Sequence, residues 1–366
     1  MTAGLFLWRT FLNLLAKSSN SAMDQSLKPI LRNPTATALR DPHCIQVGID
    51  PSHSLLLTGE VSQIRQFLNL LDGKHEIAEL ISKFPFAQVA LFQLAKRGLL
   101  ETQLLDHQIT ASLTPAQNYD LLISQRSHQA AIGKLDFAPR RIQNLANSYI
   151  WLANAGPAAA LAAIYLAQSQ IGRIKLDALA EFKPTDLPNW LDRNAEAADS
   201  LVHQLQISSA NLKLTQPAGM PNPDLVILTD QPWQAPETAA EYLNRGIAHL
   251  VIQSKISEVI VGPLVIPGKT SCLNCAEQQL LNIDKSWSVM RKLIGQHQRD
   301  DTDWLLLNLA VSFAIAQVVS AMGMGDLSRS DLVDTRWRFR LPGPRIESAP
   351  QPINMFCSCQ WGLLAA

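Results

Sequence analysis

Four of the five cysteines in this 366-residue chain form two tight pairs, Cys272-Leu273-Asn274-Cys275 and Cys357-Ser358-Cys359. Two short-spaced pairs, each delivering two thiolates from one turn, suit a tetrahedral Zn²⁺, and four thiolates leave no open catalytic position. Buried free thiols and a redox pair are the alternatives. The paired spacing favours structural zinc, although the second pair is tighter than the usual two-residue gap. A chain of this length buries ample apolar core, so a disulfide framework is not expected. Cys44 is left over and reads as an inert core residue. A metal on Cys272, Cys275, Cys357 and Cys359 would clasp the C-terminal stretch back onto a much earlier point.

The string that carries the first pair, GPLVIPGKTSCLNC from Gly262 to Cys275, also resembles a phosphate-binding loop. That motif needs four residues between its first Gly and Gly-Lys-Ser/Thr, so that successive N–H groups curl around the phosphates. Here five intervene, and two of them, Pro263 and Pro267, have no N–H to offer. The phosphate-loop reading is rejected.

Lys+Arg and Asp+Glu both number 31, so no global basic signal for nucleic acid exists. Hydrophobic residues make up 47% and charged ones 17%, the balance of a well-cored protein of two domains. Trp304 to Met322 is a stretch of 19 residues without a charge, near membrane-spanning length. A span there would put the two cysteine pairs on opposite sides of a bilayer. A buried helix of a layered domain is therefore expected, with no membrane span and a cytoplasmic location. Residues 1–37 read as a flexible or mis-started leader, with Met1 and Met23 as alternative starts; Arg9 interrupts the apolar run, which is a poor secretory pattern.

The elements that must position any site follow from periodicity. Ile45–Ile49 alternates like a strand, Asp50–His53 is a turn, and Ser54–Thr58 reads as a second strand. Helical spacing over 61–71, 76–84 and 86–97, punctuated by Gly73 and Gly98, predicts three helices. A hairpin with three helices makes 38–104 a small winged-helix-like module. Such modules bind DNA or accept an extended peptide along a strand edge. The third helix offers only Lys96 and Arg97 as cations, which favours peptide, with Val89, Phe92, Gln93, Lys96 and Arg97 as the candidate contact residues. Residues 105–145 read as a linker containing one or two helices.

From 146 onward a βαβ order of dinucleotide-binding type is expected. A strand at 148–153 leads through Asn154-Ala155-Gly156-Pro157 into an Ala-rich helix, and 172–177 is the second strand, ending in Asp177. A further apolar strand ends in Asp230, and 246–253 supplies another. Where a nucleotide binder carries G-x-G-x-x-G, this chain has Asn154, Gly156 and Ala159, one glycine of three. The fold class is α/β.

Together, the winged-helix-like module, the Rossmann-like domain, the GPLV-x-PG-x-T-x-C-x-x-C string and the terminal Cys-Ser-Cys resemble the ThiF-like cyclodehydratase partners of thiazole/oxazole-modified microcin biosynthesis. The resemblance spans about 38–362. It implies that the first module is a recognition element that binds the leader of a ribosomal precursor peptide against its strand edge and third helix. It implies a ThiF-type NAD/FAD-like domain over 146–366, related to ubiquitin-activating enzymes, with zinc on the four cysteines. It further implies that the ATP-dependent catalyst is a separate or fused YcaO-type partner, with this chain as its non-catalytic adaptor, alone or as a homodimer. Active adenylating relatives also carry an Arg, a Lys and a Mg²⁺-binding Asp. Asp177, Asp230 and Arg193 fall at matching positions, but Asn194 stands where the Lys belongs and the glycines are eroded. The expected role is therefore peptide recognition and scaffolding in bacteriocin biosynthesis. The alternative is an ATP/Mg-dependent adenylyltransferase acting on a peptide or sulfur-carrier C-terminus, with those three residues catalytic.

Overall fold

The computed structural model describes residues 24–32, 36–51, 53–102, 114–132, 137–177, 179–194, 196–214, 222–229, 235–294, 302–357 and 359. They divide into two compact units, residues 1–140 and 141–366.

In the first unit, β1 (Pro29–Leu31) is followed by β2 (Thr37–Asp41), β3 (Cys44–Val47) and β4 (Leu55–Thr58). The last three form an antiparallel sheet in the order β2-β3-β4, so the expected hairpin gains a third strand on its β3 side. Helices α1 (Val61–Asn69), α2 (Ile77–Lys83) and α3 (Ala87–Lys96) lie where the apolar spacing predicted helices. Chain reversal after α3 is a Schellman turn: Gly98 N–H bonds the Ala95 carbonyl and Leu99 N–H bonds Leu94. The returning strand β5 (Leu100–Thr102) pairs antiparallel with β1, which brings part of the stretch read as a leader into this unit. The segment read as a linker with one or two helices does contain helices. Within it α4 (Pro115–Ile132) packs on α3 and β5, giving the first unit more apolar cover than 38–104 alone. The core joins Ile45, Val47 and Leu55 of the sheet to Phe67, Leu91 and Leu94 of the helices. Phe67 meets Phe84 and Phe86 edge-on at 5.7 and 5.3 Å, a favoured aromatic arrangement. Cys44 is buried in β3, as a small apolar residue would be.

The unit boundary falls within α5 (Phe137–Asn147). The second unit then runs β6 (Tyr149–Leu152), α6 (Pro157–Gln168), β7 (Arg173–Leu176), α7 (Ala197–Ser208), β8 (Leu225–Thr229), α8 (Ala235–Asn244), β9 (His249–Lys255) and β10 (Glu258–Val265). It continues with α9 (Leu273–Ile283), α10 (Trp287–Ile294), α11 (Trp304–Gly323), β11 (Thr335–Arg340) and β12 (Arg345–Pro350). One seven-stranded sheet has the order β12-β11-β10-β9-β8-β6-β7. Strands β7, β6, β8 and β9 are mutually parallel, and β10, β11 and β12 continue antiparallel. Helices α6 and α11 pack together, α7 lies against α6, and α11 lies on β9, β10 and β11. Ala158 to Ala163 are buried all round, because alanine combines high helix propensity with a side chain small enough for close packing. Helix α11 is long and apolar enough to cross a membrane by composition. Leu307, Val311, Ala314 and Val318 nevertheless lie in the core, which makes it the buried helix that the sequence led us to expect.

Candidate functional site

The four cysteines converge. Cys272 caps α9, Cys275 follows in its first turn, and Cys357 and Cys359 arrive on the segment after β12. The Cys272 sulfur is 3.8 Å from that of Cys275 and 3.6 Å from that of Cys357, and Cys275 is 3.6 Å from Cys359. All four lie within 4.8 Å of one another. Metal–sulfur bonds of about 2.3 Å in a tetrahedron place sulfurs about 3.8 Å apart, so the donor set fits a tetrahedral thiolate-bound metal. The Asn274 side chain and the Asn354 N–H, each at 3.4 Å, donate to the sulfurs of Cys357 and Cys275, the kind of support that orients metal ligands. The cluster completes an apolar layer with Val226, Leu228, Val265 and Leu273. Burial pushes the Cys272 thiol well above its ordinary range. Burial also acts to raise Cys357, but hydrogen bonds from Cys359, Cys272 and Asn274 outweigh it and hold that thiol below the usual value.

The glycine–lysine loop ahead of the cluster is structural. Gly262 sits at an irregularity in β10 with φ +89°, where a Cβ would stand 2.5 Å from the Thr335 carbonyl oxygen. The turn from Ile266 to Thr270 closes on itself, since Ile266 N–H donates to the Thr270 hydroxyl and Lys269 and Thr270 N–H donate to the Ile266 carbonyl. The N–H groups of Ile266, Lys269 and Thr270 are thereby spent, and Pro267 has none to offer. Downstream, Ser271 N–H donates to Asp334, and Gln351 donates to the Cys272 carbonyl. These bonds anchor the cysteine turn to the β11–β12 hairpin.

At the carboxyl ends of β6 and β7 lies the turn that a dinucleotide-binding fold uses for phosphate. Gly156 caps α6 with φ 147°, and Pro157 fills the first helical position without a donor. The Asn154 amide oxygen accepts from Thr229 N–H at 3.3 Å, so this side chain braces β6 to β8. Ala159 is fully buried in the helix packing. Asp177 does stand at the tip of β7, but Lys175 holds it in a 2.7 Å ion pair while lying 3.9 Å over the Trp151 ring. Nothing in the spacing advertised Lys175; an alternating basic residue on an edge strand ordinarily faces solvent. Arg193 donates to the Leu187 carbonyl and stacks near Trp304, which gives it a role in holding its own loop. Asn194 is exposed, and Asp230 lies outside the described residues. Among the described residues, no triphosphate cradle is assembled.

The peptide candidates gather on one side of the first unit. Helix α3 lies against β4, whose only partner among the described strands is β3. Val89, Gln93 and Arg97 are half-buried, Lys96 is exposed, and Phe92 is 37% exposed. Leu56 on β4 is 47% exposed. Arg97 Nε donates to the Ser54 carbonyl at 3.1 Å, and its Nη1 donates to the carbonyl and side-chain oxygen of Gln93. The hairpin and α3 are thus tied at the Ser54 end.

A parallel βαβ start continued by an antiparallel extension, with a four-cysteine cluster beneath it, defines a mixed α/β fold of Rossmann-like type. Solved structures share it. E. coli MccB superposes with a TM-score of 0.64 at 15% identity, covering 91% of this chain and 96% of that one. The microcin C7 biosynthetic enzyme MccB in complex with N-formylated MccA gives 0.59 at 15%, covering 91% and 99%. A heterocyclase in complex with substrate and cofactor gives 0.57 at 17%, covering 91% of this chain but 39% of that one. At such identities the likeness is one of fold. The sequence matches no protein-family model and no curated protein.

Proposed function

We propose that this chain is the precursor-peptide recognition and scaffold subunit of a bacteriocin-type cyclodehydratase, presenting a ribosomal peptide to a YcaO-type ATP-dependent partner. The observation that carries this reading is that β4 has no second strand partner among the described residues, beside the partly exposed face of α3. An extended peptide added to β4 takes affinity from main-chain hydrogen bonds and specificity from alternate side-chain contacts. Leu56 and Phe92 supply apolar surface for those contacts. Structural likeness to MccB in complex with MccA supports a peptide ligand. Likeness to one part of a longer heterocyclase supports a role beside a separate catalyst. In the second unit, Cys272, Cys275, Cys357 and Cys359 hold a structural zinc, whose contribution is folding energy for that unit. An adenylating enzyme must grip a triphosphate and neutralise developing charge. Among the described residues, Asn154 is committed to Thr229 and Asp177 to Lys175, which speaks against such a grip.

A second reading, an ATP-dependent adenylyltransferase, is favoured by the whole-chain likeness to MccB, which has also been solved with ATP. Exchange of labelled pyrophosphate into ATP separates the two. The scaffold reading expects no exchange by the purified chain, and unchanged product formation by Asp177→Ala in a reconstituted reaction with the partner. Exchange by the chain alone, lost in Asp177→Ala, would establish the adenylyltransferase instead.

A further inference from the structure

We propose that a cavity at the turn end of the β3–β4 hairpin is an anchor pocket for one carboxylate side chain of the recognised peptide; this rests on the peptide-recognition reading above. The cavity measures about 480 Å³. Gly48, Gly98 and Leu99 line it together with Arg32, Arg97, His53 and Asp50. A charge-assisted hydrogen bond is stronger where the surroundings are less polar than water.

Arg97 is preorganised. Its Nε and Nη1 are fixed by Ser54 and Gln93, whereas Nη2 has no acceptor among the described residues. A guanidinium fixed at two of its nitrogens, with Nη2 left to donate, is a better-oriented partner for a carboxylate than a flexible ammonium. Lys96, adjacent in sequence, does not line the cavity. Arg32 also lines the cavity. Its backbone N–H is fixed on the Leu99 carbonyl, and its side chain is 39% exposed, with Glu101 at 3.8 Å. His53 is paired at the rim with Asp50. The two arginines thus select for negative charge, while Asp50 and Glu101 keep the free pocket from being strongly cationic.

Position follows from topology. His53, which lines the cavity, stands two residues before β4, and Arg97, which also lines it, bonds the Ser54 carbonyl, so the cavity lies at the N-terminal end of the edge strand. Every pairing in this sheet is antiparallel. A peptide added to β4 in the same sense runs its C-terminal end toward the pocket. The ligand therefore has alternating apolar residues followed, on the C-terminal side, by Asp or Glu.

Selection of short random peptides by mRNA display on the full-length chain tests this. Enriched sequences should share an Asp or Glu at one position C-terminal to alternating apolar residues. Arg97→Glu should replace that acid with Lys or Arg while keeping the apolar positions. Should Arg97→Glu fail to fold, Arg32→Gln should weaken the selected peptide about tenfold, yet leave unchanged the binding of its Asn or Gln counterpart. Peptides enriched without a fixed acid, or with an acid indifferent to both arginines, overturn the pocket and leave the peptide reading standing. A folded chain that enriches no peptide overturns both.

Discussion

At the scale of single residues, the cysteines carry the firmest expectation. About one zinc per chain should be found by elemental analysis. Cys357→Ser should abolish its retention and unfold the second unit, because the metal's binding energy is folding energy. Every tryptophan except Trp8 falls after residue 140, so tryptophan emission reports that unit almost alone. Zinc-free protein with native emission would refute the assignment. His249 provides an independent check. It is 1% exposed on β9, and burial lowers its pKa from 6.5 to about 4, against a smaller opposing effect of its bond to the Ile247 carbonyl. The unfolded chain then binds a proton that the folded chain refuses, so stability is full above pH 6.5 and falls as the pH drops toward 4. The loss at pH 5 is about 2 kcal/mol. Urea unfolding followed by tryptophan emission at pH 7 and pH 5 should show this decrement, and His249→Leu should remove it. The cysteines were legible because ligand spacing is local. His249 was not, because its burial is decided by strands brought alongside from elsewhere in the chain.

At the scale of elements, the apolar period of three to four residues over 61–71 and 86–97 located α1 and α3, and an uncharged run located α11. Strands β1, β11 and β12 carried no such signal. β1 has three residues, one of them proline, and β12, Arg345–Pro350, is exposed throughout, so neither shows apolar alternation. In β11 the alternation is present as Trp337 and Phe339 between arginines, but positive charge on the other face masked it. The outer face of α3 is expected to serve binding more than stability. Phe92→Ala should leave the thermal midpoint nearly unchanged, since surface truncations usually cost within about 0.5 kcal/mol. It should weaken a display-selected peptide about tenfold, or about 1.4 kcal/mol, read by fluorescence anisotropy. Equal affinity in the variant would remove α3 from the contact surface.

At the scale of the whole molecule, the sequence pointed to two units because its patterning changes between a hairpin with helices and a run of βα repeats. The stretch between them carries the helices expected of it, α4 and the start of α5, and α4 packs on α3 and β5. Open sheet edges show a further contrast. On the large sheet, β12 exposes Arg345 and Glu347 and ends at Pro350, and the opposite edge, β7, carries Arg173 and Lys175. On the small sheet, β2 carries Arg40 and Asp41. Charge and proline on an edge deter pairing with neighbouring molecules. β4, Leu-Leu-Leu-Thr, has neither. Among the described edges β4 is thus the unguarded template for self-association, and on the peptide-recognition proposal a peptide bound there would also keep the protein from aggregating.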